Sequence, residues 1–267
     1  MGAEKRIAAE CRTTVLTVSD PAIHLSPVIE QALSSLGSSA PDERRYDLLT
    51  LSRLHRLLEA DDPDTIGFVA EDIKTAVSLH TGERLVVATR GNPKELVARL
   101  KSHPTIASLD LIVNGVNLNQ FTSEREEATT AIVSCMDWRQ HGSQGGLITA
   151  AIRAFGPAPY AVLATAGGAK ELAHDGQRYD LFLSELKSLR SLKRLILTCH
   201  TDCGKYGGDT RFEHDLPRQL TELSRDLEKA YHRLTQALPG IDAYIGIVQI
   251  DGRSAGVIRA PVKYRAD

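Results

Sequence analysis

Short runs of Val, Ile and Leu alternate with longer stretches whose apolar residues recur at spacings of three and four, along the whole 267-residue chain. The short runs have the length of strands and the longer ones the period of amphipathic helices. Their alternation predicts βαβ units around mainly parallel sheets. In the second half, strands are expected at TAIVSC (130–135), YAVLATA (160–166), RLILTC (194–199) and AYIGIVQI (243–250). The helices between them are expected at LITAAIRAF, YDLFLSELKSL and LPRQLTELSRDLEKAYHRLTQAL. The last carries a proline near its start, where a helix has no use for the missing N–H.

The first half repeats this order, with strands expected at TTVLTVS (13–19), YDLLTLS (46–52), RLVVATR (84–90) and LDLIVNG (109–115). Helices are expected near SPVIEQALSSLG, AEDIKTAVSLH and NPKELVARLKSH. TTVLTVS matches TTAIVSC, RLVVATRGNP matches RLILTCHTDC, and SLDLIVNG matches GIDAYIGI, so the chain reads as an internal duplication. The expected organisation is two similar Rossmann-like α/β halves, residues 1–121 and 122–267. In this alignment Ser19 falls where the second half has Cys135, Arg90 where it has His200, and Pro93 where it has Cys203. The first half keeps the framework without the thiols. The second half is longer within KYGGDTRFEHDLPRQLTELSRD, just after Cys203, where the surplus is placed to fold over whatever the cysteines hold.

Charge narrows the range of partners. The net charge is −2, and basic residues are mixed with acidic ones rather than gathered in a stripe. No nucleic-acid groove or anionic membrane surface is therefore expected, and the partner sought is a small-molecule substrate or another protein. No apolar run approaches a membrane span, and the start, MGAEKRIAAECRTTV, lacks the apolar core of a signal peptide. Gly2 invites a lipidation signal, but Arg6 stands where Ser or Thr is required. A soluble, cytoplasmic protein is expected. In a reducing compartment its four cysteines, Cys11, Cys135, Cys199 and Cys203, read as metal ligands, nucleophiles or core residues rather than disulfides.

Cys135 closes the first strand of the second half, and CHTDCGKYGG places His200 and Cys203 in the loop after its third strand. In an open parallel sheet of order 2-1-3-4, strands one and three are neighbours from which the chain departs in opposite directions. Their carboxyl ends form the crevice where such sheets bind ligands. Cys135, His200 and Cys203 should therefore converge. Two thiolates and an imidazole suit Zn²⁺ in a tetrahedral site, and three protein ligands leave one position open. Taken alone, Cys135 reads equally well as a small core residue, and Asp137 with Arg139 as a surface ion pair.

Cys-x-Asp-x-Arg followed much later by His-x-x-Cys-Gly resembles the zinc signature of the β-class carbonic anhydrases. CMDWR, TAGG and HTDCG stand in that family's order and spacing, and the resemblance covers residues 129–250. It implies zinc on Cys135, His200 and Cys203, with Asp137 and Arg139 as a working pair beside the open position. It also implies reversible hydration of carbon dioxide to bicarbonate by a zinc-bound hydroxide. Because the family's sheet-based fold normally functions as a dimer, a duplicated chain would be a pseudo-dimer within one polypeptide, open to further homo-oligomerisation. Its first half would be a degenerate partner without metal ligands.

Zinc can bring the pKa of a bound water to about 7, although two thiolates offset more of the ion's charge than imidazoles would. On the family pattern Asp137, held by Arg139, accepts the proton of the bound hydroxide; released, it closes on the metal as fourth ligand. Alternatives are a zinc hydrolase of carbonyl sulfide or carbon disulfide, and a non-catalytic zinc protein.

The chain differs from the family at Trp138, Lys205, Tyr206 and the glycine-rich HGSQGG. Ala166-Gly167-Gly168 reads either as pocket lining or as a plain strand-to-helix turn. Cys199 reads as structural, Cys11 as an ordinary thiol, and His141, His174 and His214 as surface histidines that are candidates for proton transfer.

Overall fold

The structure, a computed structural model, describes residues 13–17, 46–50, 63–80, 84–89, 92–109, 111–117, 128–140, 147–156, 160–250 and 262–263. The helix expected at SPVIEQALSSLG, the HGSQGG connection, and Cys11, Ser19, Arg90 and His141 lie outside them, as does the side chain of Trp138. The chain divides into two compact units, Met1–Arg125 and Glu126–Asp267. Each is α/β with a mainly parallel sheet, as a Rossmann-like fold requires. Among the described residues no helix is long and apolar enough to cross a membrane.

In the first unit β1 (Thr13–Thr17), β2 (Tyr46–Thr50), β3 (Arg84–Thr89) and β4 (Ile112–Asn117) form a parallel sheet in the order β2-β1-β3-β4. Helix α1 (Pro63–His80) begins well before the expected AEDIKTAVSLH, and β4 starts three residues after the expected LDLIVNG. NPKELVARLKSH corresponds to α2 (Pro93–Ser102), and a short α3 (Pro104–Ala107) follows beyond it. Pro104 permits the break because it has no N–H with which to continue the first helix. Asn92 caps α2, its side chain accepting from the Lys94 amide at 3.1 Å. Pro93, the residue aligned with Cys203, is thus a helix-start proline with no atom to offer a metal.

The second unit holds β5 (Thr130–Cys135), β6 (Tyr160–Thr165), β7 (Arg194–His200), β8 (Asp242–Val248) and the two-residue β9 (Val262–Lys263). Their order is β6-β5-β7-β8-β9, parallel except for β9. The first four repeat the order of the first unit, and β5 and β7 are neighbours, as the crevice argument requires. His200 is the last residue of β7 rather than part of the loop after it.

The register also corrects the residue-level alignment. Thr13 pairs with both Tyr46 and Arg84, and Thr130 with both Tyr160 and Arg194. Thr13 is therefore the counterpart of Thr130, and counting along the chain aligns Val18, not Ser19, with Cys135. The adjoining threonines in each half allowed the one-residue slip, and the hydrogen-bonded partners remove it.

Helix α4 (Leu147–Phe155) covers one face of this sheet, where Leu147 and Ala151 pack with Ile132, Ile196, Val248 and Ile250. Helix α5 (Gln177–Ser188) buries Phe182 and Leu186. Past Cys203 the extra residues form a 3-10 turn (Gly204–Tyr206), a short α6 (Gly208–Arg211) and α7 (Leu216–Ala237). Asp215 caps α7 by accepting from the Arg218 amide at 3.0 Å. Leu223, Leu227, Ala230 and Leu234 form its buried stripe, each leucine contributing about 1.5–3 kcal/mol relative to exposure. This stripe lies against β7 and β8 and anchors the strand that carries His200.

Candidate metal centre

The site forms where the β5–β7 ladder stops. These strands pair from Thr130 with Arg194 to Val133 with Leu197 and no further. β5 stays paired with β6 to Cys135, and β7 with β8 to His200. The Thr198 hydroxyl donates to the Val133 carbonyl at 2.9 Å, satisfying an acceptor at the end of the ladder. Gly168 lies in the gap with φ +57; a Cβ there would stand 2.6 Å from the Thr198 oxygen and 2.8 Å from the Cys135 nitrogen. Both strand tips thus close around a backbone with no room for a side chain.

At this place Cys135, His200 and Cys203 are all buried, with their ligand-type atoms within 4.8 Å of one another. The two sulfurs are 3.9 Å apart, far beyond the roughly 2.05 Å of a disulfide. Two thiolates held tetrahedrally at about 2.3 Å from one zinc ion would be separated by roughly 3.8 Å. The Cys135 sulfur also accepts from the Gly167 amide at 3.3 Å, a contact that favours its thiolate.

His200 is oriented from behind. Its Nδ1 donates to the Thr201 carbonyl at 2.7 Å. Thr201 is itself tied to the end of β8, its amide donating to the Val248 carbonyl and its hydroxyl accepting from the Ile250 amide at 2.8 Å. A carbonyl only accepts, so Nδ1 carries a proton, and in the neutral ring Nε2 holds the lone pair. Nε2 is buried, faces the Cys135 thiol and lies 3.8 Å from Asp137 Oδ2. A buried ring nitrogen held toward two thiols by a hydrogen bond from its other nitrogen fits a metal ligand. The donor set, two sulfurs and a nitrogen, suits zinc.

Asp137 and Arg139 are not a surface pair. Both are buried, and Arg139 Nη2 donates to Asp137 Oδ2 at 2.7 Å while Nε donates to Oδ1 at 3.0 Å. The Arg139 amide also donates to Oδ1 at 3.0 Å. Burial works against the charged guanidinium, but the Asp137 carboxylate, helped by Asp202, outweighs it and holds the Arg139 pKa above its usual range. Asp137 Oδ2 is 3.8 Å from His200 Nε2, beside the ligand group but turned to the arginine.

Cys199 does not join the three ligands. It faces the Tyr206 hydroxyl at 3.5 Å, and burial pushes its thiol up to about 12. Tyr206 is buried, while Lys205 pairs with Glu171 at 3.4 Å, so these departures from the family pattern serve packing and anchoring. His174 and His214 are exposed. Asp202 and Thr198 shape the site without having been assigned to it from sequence, and Gly167 and Gly168, read as either pocket lining or a plain turn, border it. The paired glycines carried a visible signal; the link from Asp202 to Arg139 spans 63 positions and carried none.

Hydrogen bonding with Cys203 and burial raise the Cys135 thiol well above its ordinary range. At neutral pH this cysteine is protonated in the metal-free protein and must release its proton to bind metal. Zinc affinity is therefore expected to rise with pH, by about tenfold per unit for each proton released. Chelator competition across a pH series measures it, and a flat profile would contradict the assignment. In the same assay Cys203→Ser is expected to weaken zinc binding by more than about 100-fold, because losing a ligand exceeds the effect of losing its support. Comparison of the chain with protein families, with curated proteins and with solved structures finds no match.

Proposed function

We propose that the second half is a zinc-dependent catalyst of the β-carbonic-anhydrase kind, hydrating carbon dioxide reversibly to bicarbonate. The observation that carries this reading is the buried Cys135, His200 and Cys203 group with the Asp137–Arg139 pair held beside it. These three residues would hold the ion, which when bound supplies Lewis acidity and a nucleophile at neutral pH. Asp137 offers an acceptor-only oxygen to the nucleophile's O–H and so fixes its orientation. Arg139 keeps that carboxylate aimed. Burial of the pair raises the strength of both interactions over what water would allow.

Zinc analysis and stopped-flow carbon dioxide hydration on the full chain test the reading. Roughly one zinc per chain is expected, together with hydration well above the uncatalysed rate. Zinc-loaded protein without hydration would sink it. Hydrolysis of carbonyl sulfide in that preparation would redirect it to a related electrophile, while inactivity towards both would leave a zinc staple, a role that the burial of all three ligands also suits.

A further inference from the structure

Asp202 lies inside the HTDC stretch yet belongs to the machinery around Arg139. Its Oδ2 accepts from Arg139 Nη1 at 2.9 Å, and its backbone carbonyl accepts from Nη2 at 3.3 Å. Its other carboxylate oxygen accepts from the Asp209 amide at 3.1 Å, fixing the side chain to the start of α6. Its backbone is in the left-handed region, φ 55, where a residue with a side chain is strained. Aspartate tolerates that region better than most residues. The conformation turns both its carbonyl and its carboxylate toward one guanidinium.

Arg139 is consequently shared between two carboxylates. Nε and Nη2 hold Asp137, and Nη1 holds Asp202. The sharing matters because Asp137 Oδ2 is only 3.8 Å from His200 Nε2. Two ligands of one zinc ion, each about 2.0 Å from it, lie roughly 3.3 Å apart. A small rotation would carry an unrestrained Asp137 into the fourth position, and the arginine opposes that rotation only while something holds the arginine.

We propose that Asp202 is a positioning residue that pins Arg139 against Asp137 and thereby keeps the fourth metal position open. The proposal rests on the metal reading above and adds to it what decides between an open and a closed site. Asp202 acts through Arg139 and needs no contact with substrate.

Cobalt(II) is the probe, with azide as the ligand for the open position and visible absorption as the readout at one fixed pH. Asp202→Gly accepts the left-handed backbone while removing the carboxylate. It is expected to need about fivefold more azide to reach the cobalt(II) spectrum of the azide complex, since a half-exposed ion pair contributes up to that scale. Asp202→Asn, whose amide oxygen can still accept from Arg139, is expected to fall between Asp202→Gly and the natural protein. Adding Asp137→Asn to Asp202→Gly is expected to restore azide binding by removing the competing carboxylate. Azide affinity unchanged in Asp202→Gly, with normal cobalt uptake, overturns this proposal alone. No restoration in the double variant overturns it too, because the defect is then general distortion. Failure of the natural protein to take up cobalt overturns the metal reading and this proposal together.

Discussion

Arg139→Ala is expected to lower carbon dioxide hydration by about 100-fold or more, the scale of a lost proton-handling group, while zinc remains bound. None of the three ligands is touched by the change, so metal content measures whether the site survives. What is lost are two side-chain donors to Asp137, at 2.7 and 3.0 Å, and with them the bridge to Asp202, while the backbone amide of residue 139 still donates to Oδ1. The carboxylate is buried with Oδ2 3.8 Å from His200 Nε2, so once the guanidinium is gone Oδ2 is expected to close the open coordination position. Arg139→Lys is expected to recover little, since a single ammonium cannot serve both carboxylates in the fork geometry of a guanidinium. Stopped-flow hydration beside zinc analysis decides the matter. A fully active, zinc-loaded Arg139→Ala would show that the pair has no catalytic part.

Gly168→Ala is expected to be the most damaging small substitution in the second half, at about 3–5 kcal/mol. Its φ of +57 strains any side chain, and the added carbon would meet backbone on both strand tips, the Thr198 oxygen at 2.6 Å and the Cys135 nitrogen at 2.8 Å. Backbone cannot rotate away as a side chain can. Gly167→Ala makes the contrast: its nearest neighbour is Lys205 Cγ at 2.8 Å, on a flexible side chain, and about 1–2 kcal/mol is expected. Gly156, with positive φ but nothing within 4 Å, serves as the control for conformation alone. Urea unfolding orders the three variants, and zinc binding should fail in Gly168→Ala first, because the clash is transmitted directly to Cys135. Equal midpoints for Gly168→Ala and Gly156→Ala would show that the gap between the strands is looser than described.

The elements of the second half were the most legible. TAIVSC and LITAAIRAF correspond residue for residue to β5 and α4, because a short β-branched stretch of small and apolar residues and a strong three-four periodicity each leave little choice of conformation. The limits of β4 were harder to read: LDLIVNG begins with alternating Leu109, Asp110 and Leu111, but pairing with β3 begins only at Ile112, opposite Arg84. The short α3 beyond NPKELVARLKSH had no readable period, since PTIA is only four residues long. At the site, the ligand types were legible because sulfur and imidazole are rare enough that their spacing stands out. Asp202 was not, being one of many aspartates until the fold brings Arg139 to it.

By itself, then, the order of residues determined an alternating α/β chain, a repeated strand order, and the three side chains suited to one soft cation. It favoured His200 over Cys199 as the partner of Cys135 without giving the geometry that allows it. Register extended along β5 and β7 would have set Cys199, not His200, level with Cys135, since Val133 pairs with Leu197. The end of that ladder, the Thr198 hydroxyl that closes it, and the backbone of Gly168 in the gap release both tips from the pleat's alternation. Which nitrogen and which carboxylate meet the sulfurs depends on where two strands stop pairing, a consequence of packing across the sheet that no local stretch of chain contains.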